Sequence, residues 1–355
     1  MQRCLLIGLL LVILVPGIPA QTAKQFDLVV YGGTAGGVMT AVAAAREGLA
    51  VVLLEPSRHL GGMVTGGLSR TDFGKKEVIG GIALEFYQRA GKKYGRDIEW
   101  MPEPHVAETI LNEMIAEAKT ITVLLKHRLK ETGGVQKQGT RITEITMENG
   151  TRFRGAIFAD ASYEGDLMAQ AGISFTWGRE SAAQYGESLA GVRPKDRNHQ
   201  FDFAVSAYDE TKRLLPEIQR EPRGDIGAGD RKVQAYNFRM ILTNDPANRI
   251  PFAKPAGYDP KRFELAARWL QGLVKEKGRA PRMNEILLPA QIAGTQKWDF
   301  NNRGAISTDY IGKSWDYPNA SYKRRGVIWA DHKRYTEELF YFLQNDPRVP
   351  KRSPP

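Results

Sequence analysis

Two short and almost wholly apolar runs near the start of the chain predict buried β-strands. Asp27–Tyr31 and Leu49–Leu54 carry few polar side chains, which is typical of parallel strands covered on both faces. Between them, Val38–Glu47 is rich in alanine and predicts a helix that ends at Gly48. This strand–helix–strand order predicts an α/β fold with a parallel sheet.

The pattern downstream extends this sheet. Apolar residues from 106 to 118 recur at the spacing of one helix face, and Ile121–Leu125 then predicts a third parallel strand. Asn149 and Gly150 separate two strand-like segments and predict a β-hairpin with a type I′ turn. The second arm of the hairpin runs into the apolar segment Ala156–Ala159. We therefore expect a β-meander followed by one more strand of the parallel sheet.

The first residues have the three-part pattern of a secretory signal peptide. Arg3 supplies the positive charge, Leu5–Val15 is an apolar run, and Ala20 is a small residue that follows two prolines. We expect cleavage near Ala20 and export to the periplasm or the extracellular space. The apolar run is too short to span a bilayer comfortably, so no stable membrane anchor is expected. The alternative is an N-terminal helix that the mature protein retains.

Composition excludes several classes of protein. The 355 residues contain one cysteine, Cys4, which excludes a disulfide scaffold, a zinc ribbon, an iron–sulfur cluster and a catalytic thiol in the body of the chain. No cluster of potential ligands has metal-binding spacing, so we expect no metal. The formal net charge is +10, but the basic residues are scattered and Lys323–Arg325 is the only run of three. Without a basic stripe or a recognition motif, we expect no nucleic-acid partner.

The first predicted strand leads directly into a glycine-rich turn. The segment from Gly32 to Gly37 reads GGTAGG and precedes the predicted helix. Glycines let backbone N–H groups approach a pyrophosphate at the positive end of the helix dipole. Glu55 follows the second strand, near the offset of about 20 residues at which an acid binds ribose hydroxyls. Thr34 takes the place of the second glycine, where its hydroxyl either joins the contact or displaces the pyrophosphate slightly. These features predict a dinucleotide site; the alternative is an ordinary glycine-rich loop.

A second glycine segment favours a flavin over a simple nicotinamide cofactor. Two Gly-Gly pairs, Gly61–Gly62 and Gly66–Gly67, lie within seven residues. They are unsuited to a strand or a helix and predict a loop that lies flat against a large ligand. Simple Rossmann dehydrogenases lack such a loop, whereas flavoproteins of the glutathione-reductase type have a similar one.

Several segments together carry a family resemblance. The first half contains VVYGGTAGG, LGGMVTGGLS and FADASYEGDLMAQAG, and the second half contains QAYNFRMILTNDPANRIPFAKPAGYDP, DFNNRGAISTDYIG and HKRYTEELFYFL. Over roughly Asp27 to Pro350, the chain resembles the FAD-dependent oxidoreductase family of secreted bacterial proteins, some of which are labelled xanthan lyase. The resemblance implies FAD as the cofactor. The candidate cofactor-binding residues are Gly32, Gly33, Thr34, Gly36, Gly37, Glu55, Gly61, Gly62, Met63, Asp160, Gly165 and Asp166.

The predicted organisation has four parts. A signal peptide covers residues 1–20, and a Rossmann-like FAD-binding domain with a β-meander covers 21–170. A mixed α+β substrate or cap domain covers 171–321, and a C-terminal helix with a tail covers 322–355. Proteins that this chain resembles usually return to the FAD domain at the C-terminus. Because the sequence ends soon after Pro350 without another glycine turn, we expect that the C-terminal part of the FAD domain is missing and that this chain retains the flavin poorly.

The second half supplies candidate catalytic residues. His332 and Tyr335 stand at positions i and i+3 of a predicted helix and are the first candidates for groups near the flavin. The alternative for this pair is a surface histidine and a half-buried tyrosine of the core. Asp309 and Arg239 are further candidates, because their segments share the family resemblance.

The same half contains polar and aromatic side chains suited to a hydroxyl-bearing substrate. The polar segments are 299–302 and 307–310. Trp298, Trp315 and Tyr317 lie nearby in the sequence and fit rings that stack on a sugar face. A small polar or carbohydrate substrate fits this composition, and so does a polar loop with buried aromatic residues.

These inferences predict an exported FAD-dependent oxidoreductase that transfers hydride from a small polar or sugar-like substrate to flavin. One alternative is a polysaccharide lyase of the xanthan type, which needs no nucleotide and would leave the glycine segments unexplained. The other is a non-catalytic protein that binds a flavin or a sugar. The sequence leaves the electron acceptor and the oligomeric state open.

Overall fold

The computed structural model describes residues 23–196, 198–292 and 294–351. The predicted signal peptide lies outside these described residues. Two β-sheets organise the described chain. The strands are β1 (Lys24–Tyr31), β2 (Val51–Glu55), β3 (Ile121–Leu125), β4 (Val135–Gln138), β5 (Arg141–Thr146), β6 (Arg152–Asp160), β7 (Met240–Thr243), β8 (Leu287–Gln291) and β9 (Lys297–Asn302).

Three of the helices cover one face of the first sheet, and two long helices accompany the second. Within the described ranges, no helix combines the length and the apolar character needed to cross a membrane. The α-helices are α1 (Ala35–Arg46), α2 (Gly81–Lys93), α3 (Pro104–Glu117), α4 (Asp166–Gln170), α5 (Ala182–Tyr185), α6 (Glu264–Lys277), α7 (Met283–Ile286) and α8 (Tyr322–Asn345).

The larger sheet has six strands in the order β3-β2-β1-β6-β5-β4. β1, β2, β3 and β6 are parallel, while β5 and β4 continue the sheet in antiparallel fashion. Parallel neighbours need crossover connections, and the helix α1 supplies the first of them between β1 and β2. The predicted α/β fold with a parallel sheet and a meander is therefore confirmed.

Successive residues of the central strand β1 fill two different cores. Leu28 and Val30 point into a core shared with α1, α2 and α3. Val29 and Tyr31 point into a core on the opposite face, which the meander residues Ile145 and Phe153 and others complete. Because side chains alternate between the faces of a strand, both faces are covered and the strand reads as a continuous apolar run.

The predicted hairpin forms, but its predicted turn type is wrong. A type I′ turn needs positive φ at both central residues, whereas Gly150 has φ 83° and Asn149 is not among the residues with positive φ. The Met147 N–H donates to the Thr151 carbonyl at 2.8 Å, which leaves three loop residues between them. A three-residue loop with glycine in the left-handed region is the next most common hairpin geometry.

The strand β6 is a single element where the sequence pattern indicates two. Its start pairs with β5 in antiparallel fashion, and its whole length from Phe153 to Asp160 pairs with β1 in parallel. One strand therefore belongs both to the meander and to the parallel sheet, and it ends beside Tyr31 of β1.

The second half of the chain has its own core around a three-stranded antiparallel sheet in the order β7-β9-β8. Trp269 and Leu273 of α6 pack there with Tyr335, Leu339 and Phe342 of α8. Aromatic rings dominate the contacts, and the rings of Tyr310 and Tyr335 stack at 4.1 Å. Such pairs contribute beyond their buried area.

A buried arginine joins this core to the segments around it. The Arg262 guanidinium donates to Glu217 at 2.8 Å, to Glu338 at 2.8 Å and to Asp331 at 3.1 Å. It also donates to the Tyr310 hydroxyl at 2.6 Å. Glu217 also pairs with Lys313 and Asp331 with Arg334. The buried Glu338, by contrast, has no other ion-pair partner among the described residues and would be desolvated without Arg262.

We expect Arg262→Met to destabilise the protein by about 3–5 kcal/mol, because it leaves three partly buried carboxylates without their shared cation. The exposed pair of Lys333 and Glu337 offers a control, since Lys333→Met should cost less than about 0.5 kcal/mol. Urea unfolding of both variants measures the difference. Equal losses of unfolding free energy would contradict a special role for Arg262.

The burial of His332 predicts how the stability of the protein depends on pH. The side chain is 4% exposed, and its Nδ1 donates to the Ile328 carbonyl at 2.8 Å. Its Nε2 has no partner among the described residues. Desolvation lowers the pKa of this imidazole below its usual value.

The folded state therefore holds His332 neutral where the unfolded chain, with a pKa of about 6.5, is already protonated. Stability is fully present above that value and falls as the pH drops toward the lowered folded-state pKa. We expect the free energy of unfolding to decrease between pH 8 and pH 5, and to decrease less in His332→Gln. Denaturant titrations at several pH values measure this. The same pH dependence in both proteins would refute the assignment.

Candidate functional site

The carboxyl ends of β1, β2 and β6 meet at one edge of the parallel sheet. Tyr31 of β1 pairs with Leu54 of β2 on one side and with Asp160 of β6 on the other. The segments that follow these strands are the glycine turn, Glu55 with the second glycine loop, and the turn after Asp160. Ligands of open parallel sheets bind outside this edge, so the structure brings three predicted site segments to the expected place.

Close approach of backbone makes two glycines of the first turn irreplaceable. Gly32 has φ 101°, and a Cβ there would lie 2.5 Å from the Ser162 nitrogen. A Cβ on Gly37 would lie 1.9 Å from the Gly32 carbonyl oxygen. Carbon atoms cannot approach backbone so closely, so the helix α1 starts directly against the end of β1 only with glycine at both positions.

Thr34 is the N-cap residue of the helix α1. Its Oγ1 accepts a hydrogen bond from the Gly37 N–H at 3.2 Å and donates to the Ala161 carbonyl at 2.8 Å. This cap explains why α1 begins at Ala35, three residues before the predicted start. The hydroxyl is thus engaged by the protein. The amide of Gly36 makes no hydrogen bond within the described chain and remains available at the positive end of the helix. A parallel β-bridge between Thr34 and Gly61 engages the Ala35 amide.

Glu55 faces the glycine turn. Its Oε2 accepts a hydrogen bond from the Gly33 N–H at 2.6 Å, and its Oε1 accepts one from the Ser57 N–H at 2.7 Å. Each carboxylate oxygen has a second lone pair. The carboxylate therefore orders the turn and still has acceptor capacity for ribose hydroxyls.

The second glycine loop is attached to the first turn by backbone. The Gly61 N–H donates to the Gly33 carbonyl at 2.7 Å, and Gly61 and Gly62 have φ 96° and 56°. The Met63 N–H donates to the hydroxyl of Tyr163 at 2.8 Å. A Cβ on Gly62 would lie 2.3 Å from the same hydroxyl oxygen. Glycine at position 62 therefore makes room for a tyrosine that sequence reasoning did not single out.

The two aspartates of the third turn are occupied within the protein. Asp160 accepts hydrogen bonds from the Ser162 N–H at 3.0 Å and from the Met168 N–H at 2.8 Å, so it shapes the turn. Gly165 has φ 70° and precedes α4. Asp166 forms an ion pair with Arg325 of α8 at 2.7 Å. Both aspartates thus hold the turn in place at the sheet edge.

Arg239 lies against the glycine loop. Its guanidinium forms a bidentate pair with Asp299, at 3.0 Å from Nε and 2.8 Å from Nη2. Asp299 is fully buried, and a Cβ on Gly67 would lie 3.1 Å from the Arg239 carbonyl oxygen. This candidate therefore connects the second sheet to the far end of the glycine loop.

Asp309 belongs to a separate polar group. Its Oδ1 accepts a hydrogen bond from the Asn237 side chain at 2.6 Å, and its Oδ2 lies 4.0 Å from Nε2 of His199. The His199 backbone has φ 54°, an uncommon value for a residue other than glycine. Sequence reasoning missed His199 and Asn237, because only the fold brings them to Asp309.

His332 and Tyr335 lie in the core of the second half, away from the three loops at the sheet edge. The Tyr335 hydroxyl donates to the Ser307 carbonyl at 2.8 Å. Burial raises the pKa of Tyr335, and the His332 ring contacts the Tyr310 ring at 5.1 Å. Both side chains are almost fully buried. Their placement indicates a packing role.

The three predicted sugar-stacking rings are placed differently from one another. Trp298 packs against the second core, and Trp315 has the ammonium of Lys232 at 4.7 Å from its centroid. Tyr317 lies close to the sheet edge, where its hydroxyl donates to Glu164 at 3.0 Å. Among the described residues, no group of three or more His, Cys, Asp or Glu is arranged to hold a metal.

The residues at the sheet edge fit a dinucleotide. The free amide of Gly36 stands at the positive end of α1, and the turn beside it admits no Cβ at Gly32 or Gly37. Glu55 stands next to this turn with unused lone pairs. An anionic diphosphate and a ribose are the groups that such donors and acceptors bind.

The sequence profile of a family described as FAD dependent oxidoreductase matches residues 27–351. No curated protein sequence matches the chain.

Three solved structures are similar over less than half of this chain. L-proline dehydrogenase from P. horikoshii is 15% identical with a TM-score of 0.34, and the match covers 45% of this chain and 59% of that one. L-amino acid deaminase from Proteus vulgaris is 14% identical with a TM-score of 0.31, over 46% and 54%. A geranylgeranyl bacteriochlorophyll reductase-like protein from Thermoplasma acidophilum is 19% identical with a TM-score of 0.32, over 44% and 44%.

The match thus spans at most 59% of the length of these proteins. The family match covers nearly the whole described chain and agrees with the geometry of the sheet edge. The chain belongs to the FAD-dependent oxidoreductase family, and its cofactor is FAD.

Proposed function

We propose that this chain is an exported enzyme that oxidises a small polar or sugar-like substrate and passes the hydride to FAD. The observation that carries the proposal is the meeting of three loops at one sheet edge, with Arg239 of the second half against the glycine loop. A cofactor held by the glycine turn on one side of the glycine loop would therefore be a neighbour of a substrate held by the second half of the chain on the other side. Export rests on the leader pattern of residues 2–20.

The chain's own residues would hold the cofactor by three kinds of contact. The amide of Gly36 at the positive end of α1 binds the anionic diphosphate, and the carboxylate of Glu55 accepts hydrogen bonds from ribose. The backbone of the glycine loop from Gly61 to Met63 would lie along the cofactor, while Tyr163 fills the space beside Gly62. When bound, FAD supplies the hydride acceptor.

The second half supplies groups that orient a hydroxyl-bearing substrate. The Asp309 carboxylate is held by Asn237 on one oxygen, and its other oxygen faces Nε2 of His199. A carboxylate held in this way is suited to accept a hydroxyl proton while the carbon gives up hydride. Arg239 and Asp299 neutralise each other's charge in their bidentate pair, and this pair would keep the glycine loop in place.

We expect Gly37→Ala to weaken FAD binding by at least about tenfold, because its Cβ would collide with the Gly32 carbonyl and force the turn open. Titration of the purified chain with FAD, followed by flavin fluorescence, measures the dissociation constant. Gly74→Ala is the matched control, since nothing lies within 4 Å of a Cβ there. Equal affinities for the two variants, with unchanged circular dichroism, would exclude this turn as the diphosphate site.

The oxidation itself is tested by anaerobic mixing of the FAD-loaded chain with D-glucose, D-mannose and glycerol. Loss of the visible band of oxidised flavin shows hydride transfer, and we expect it with at least one of these compounds. Asp309→Asn should slow the reduction by about 10²–10⁴-fold without loss of FAD, as expected for a proton acceptor. Asp225→Asn, at an exposed position, is the control. Bound flavin that none of the compounds reduces would overturn the proposed substrate class.

A further inference from the structure

Two edge-to-face aromatic pairs share the segment 236–238, and one of them reaches the turn after β6 through the hydrogen bond from Tyr317 to Glu164. The Tyr236 and Tyr317 rings meet edge to face at 5.4 Å, and the Phe238 and Trp329 rings meet edge to face at 5.3 Å. Tyr236 is 38% exposed and Trp329 is 53% exposed. Each exposed ring is thus held by a ring behind it. We name Tyr236, Phe238, Tyr317 and Trp329 the aromatic platform.

Glu164 adds a hydrogen-bond acceptor to the platform. One carboxylate oxygen accepts the Tyr317 hydroxyl at 3.0 Å, and the other has no partner within the described chain. The preceding residue, Tyr163, holds the Met63 N–H of the glycine loop. One dipeptide therefore contacts both the predicted cofactor loop and the platform, so a ligand on the platform lies next to the cofactor site.

The charges around the platform disfavour charged ligands. Arg325 is paired with Asp166, and its guanidinium already lies 5.5 Å from the Tyr317 ring centroid and 5.8 Å from that of Tyr322. A cationic ligand that stacked on these rings would be repelled by the Arg325 guanidinium, which already lies beside them. An anion would meet the unpaired oxygen of Glu164. A neutral ligand avoids both costs.

We propose that the aromatic platform and Glu164 form a binding site for a neutral sugar or polyol. The C–H face of the ligand packs on Tyr236 and Trp329, and a hydroxyl donates to the free oxygen of Glu164. The inference deepens the proposed function, since it places the substrate class of that function at a named surface. The sequence predicted none of these residues to be catalytic. Of the platform residues, it predicted only Tyr317 as a ring that stacks on a sugar.

The test uses the full chain loaded with FAD, and calorimetric titration with D-mannose, D-glucose, D-glucuronate and spermidine. We expect saturable binding of at least one neutral sugar, and at least about tenfold weaker binding of glucuronate and spermidine. Trp329→Ala should weaken sugar binding by about tenfold or more, whereas Trp329→Phe keeps much of it. Tyr185→Ala removes an exposed ring elsewhere, on α5, and should leave binding unchanged.

Several results would overturn the platform. The first is the absence of saturable binding for both neutral sugars. The second is an equal loss of sugar affinity in Trp329→Ala and Tyr185→Ala. The third is tighter binding of glucuronate or spermidine than of the neutral sugars. Self-association in light scattering that Trp329→Ala abolishes would assign the surface to a protein contact instead. Sugar binding without flavin reduction keeps the platform and removes the proposed oxidation. Flavin reduction that Trp329→Ala leaves unchanged keeps the oxidation and removes the platform.

Discussion

The contact between Gly37 and the carbonyl of Gly32 is the constraint on which the cofactor site depends. It lets α1 begin immediately after β1, so that the positive end of the helix points out over the sheet edge. Thr34 then ties the turn to Ala161, and Glu55 ties it to the end of β2. The turn is therefore held from both neighbouring strands before any ligand binds, which reduces the ordering cost of binding.

The second half of the chain is joined to this edge by polar pairs rather than by a continuous apolar core. Arg325 holds Asp166 across 159 residues, and the Arg239–Asp299 pair lies against Gly67. Such pairs are directional, and removing one partner leaves a desolvated charge. They set the position of the aromatic platform relative to the glycine loop, which apolar packing alone would define less sharply.

Burial distinguishes His332 and Tyr335 from Asp309 and Glu164, the two carboxylates that we propose to contact the substrate. His332 and Tyr335 have the residue types of catalytic groups, but their hydrogen bonds end on backbone carbonyls in a closed aromatic core. Asp309 and Glu164 each keep a carboxylate oxygen without a hydrogen bond among the described residues, and Glu164 lies in the turn after β6. Access to a ligand distinguishes the two groups, and residue type does not.

The sequence by itself determined the features that depend on neighbours in the chain: β1, α1 and β2, the two glycine segments, and the hairpin at Gly150. Their signals are local, since backbone conformation and apolar runs are read over a few residues. The turn type at Gly150 was predicted wrongly, because the position of the first closing hydrogen bond decides the loop length. Only the tertiary structure decided what meets across the chain. Tyr163 reaches Met63 over 100 residues, and side-chain partners at such separations leave no periodic or compositional trace.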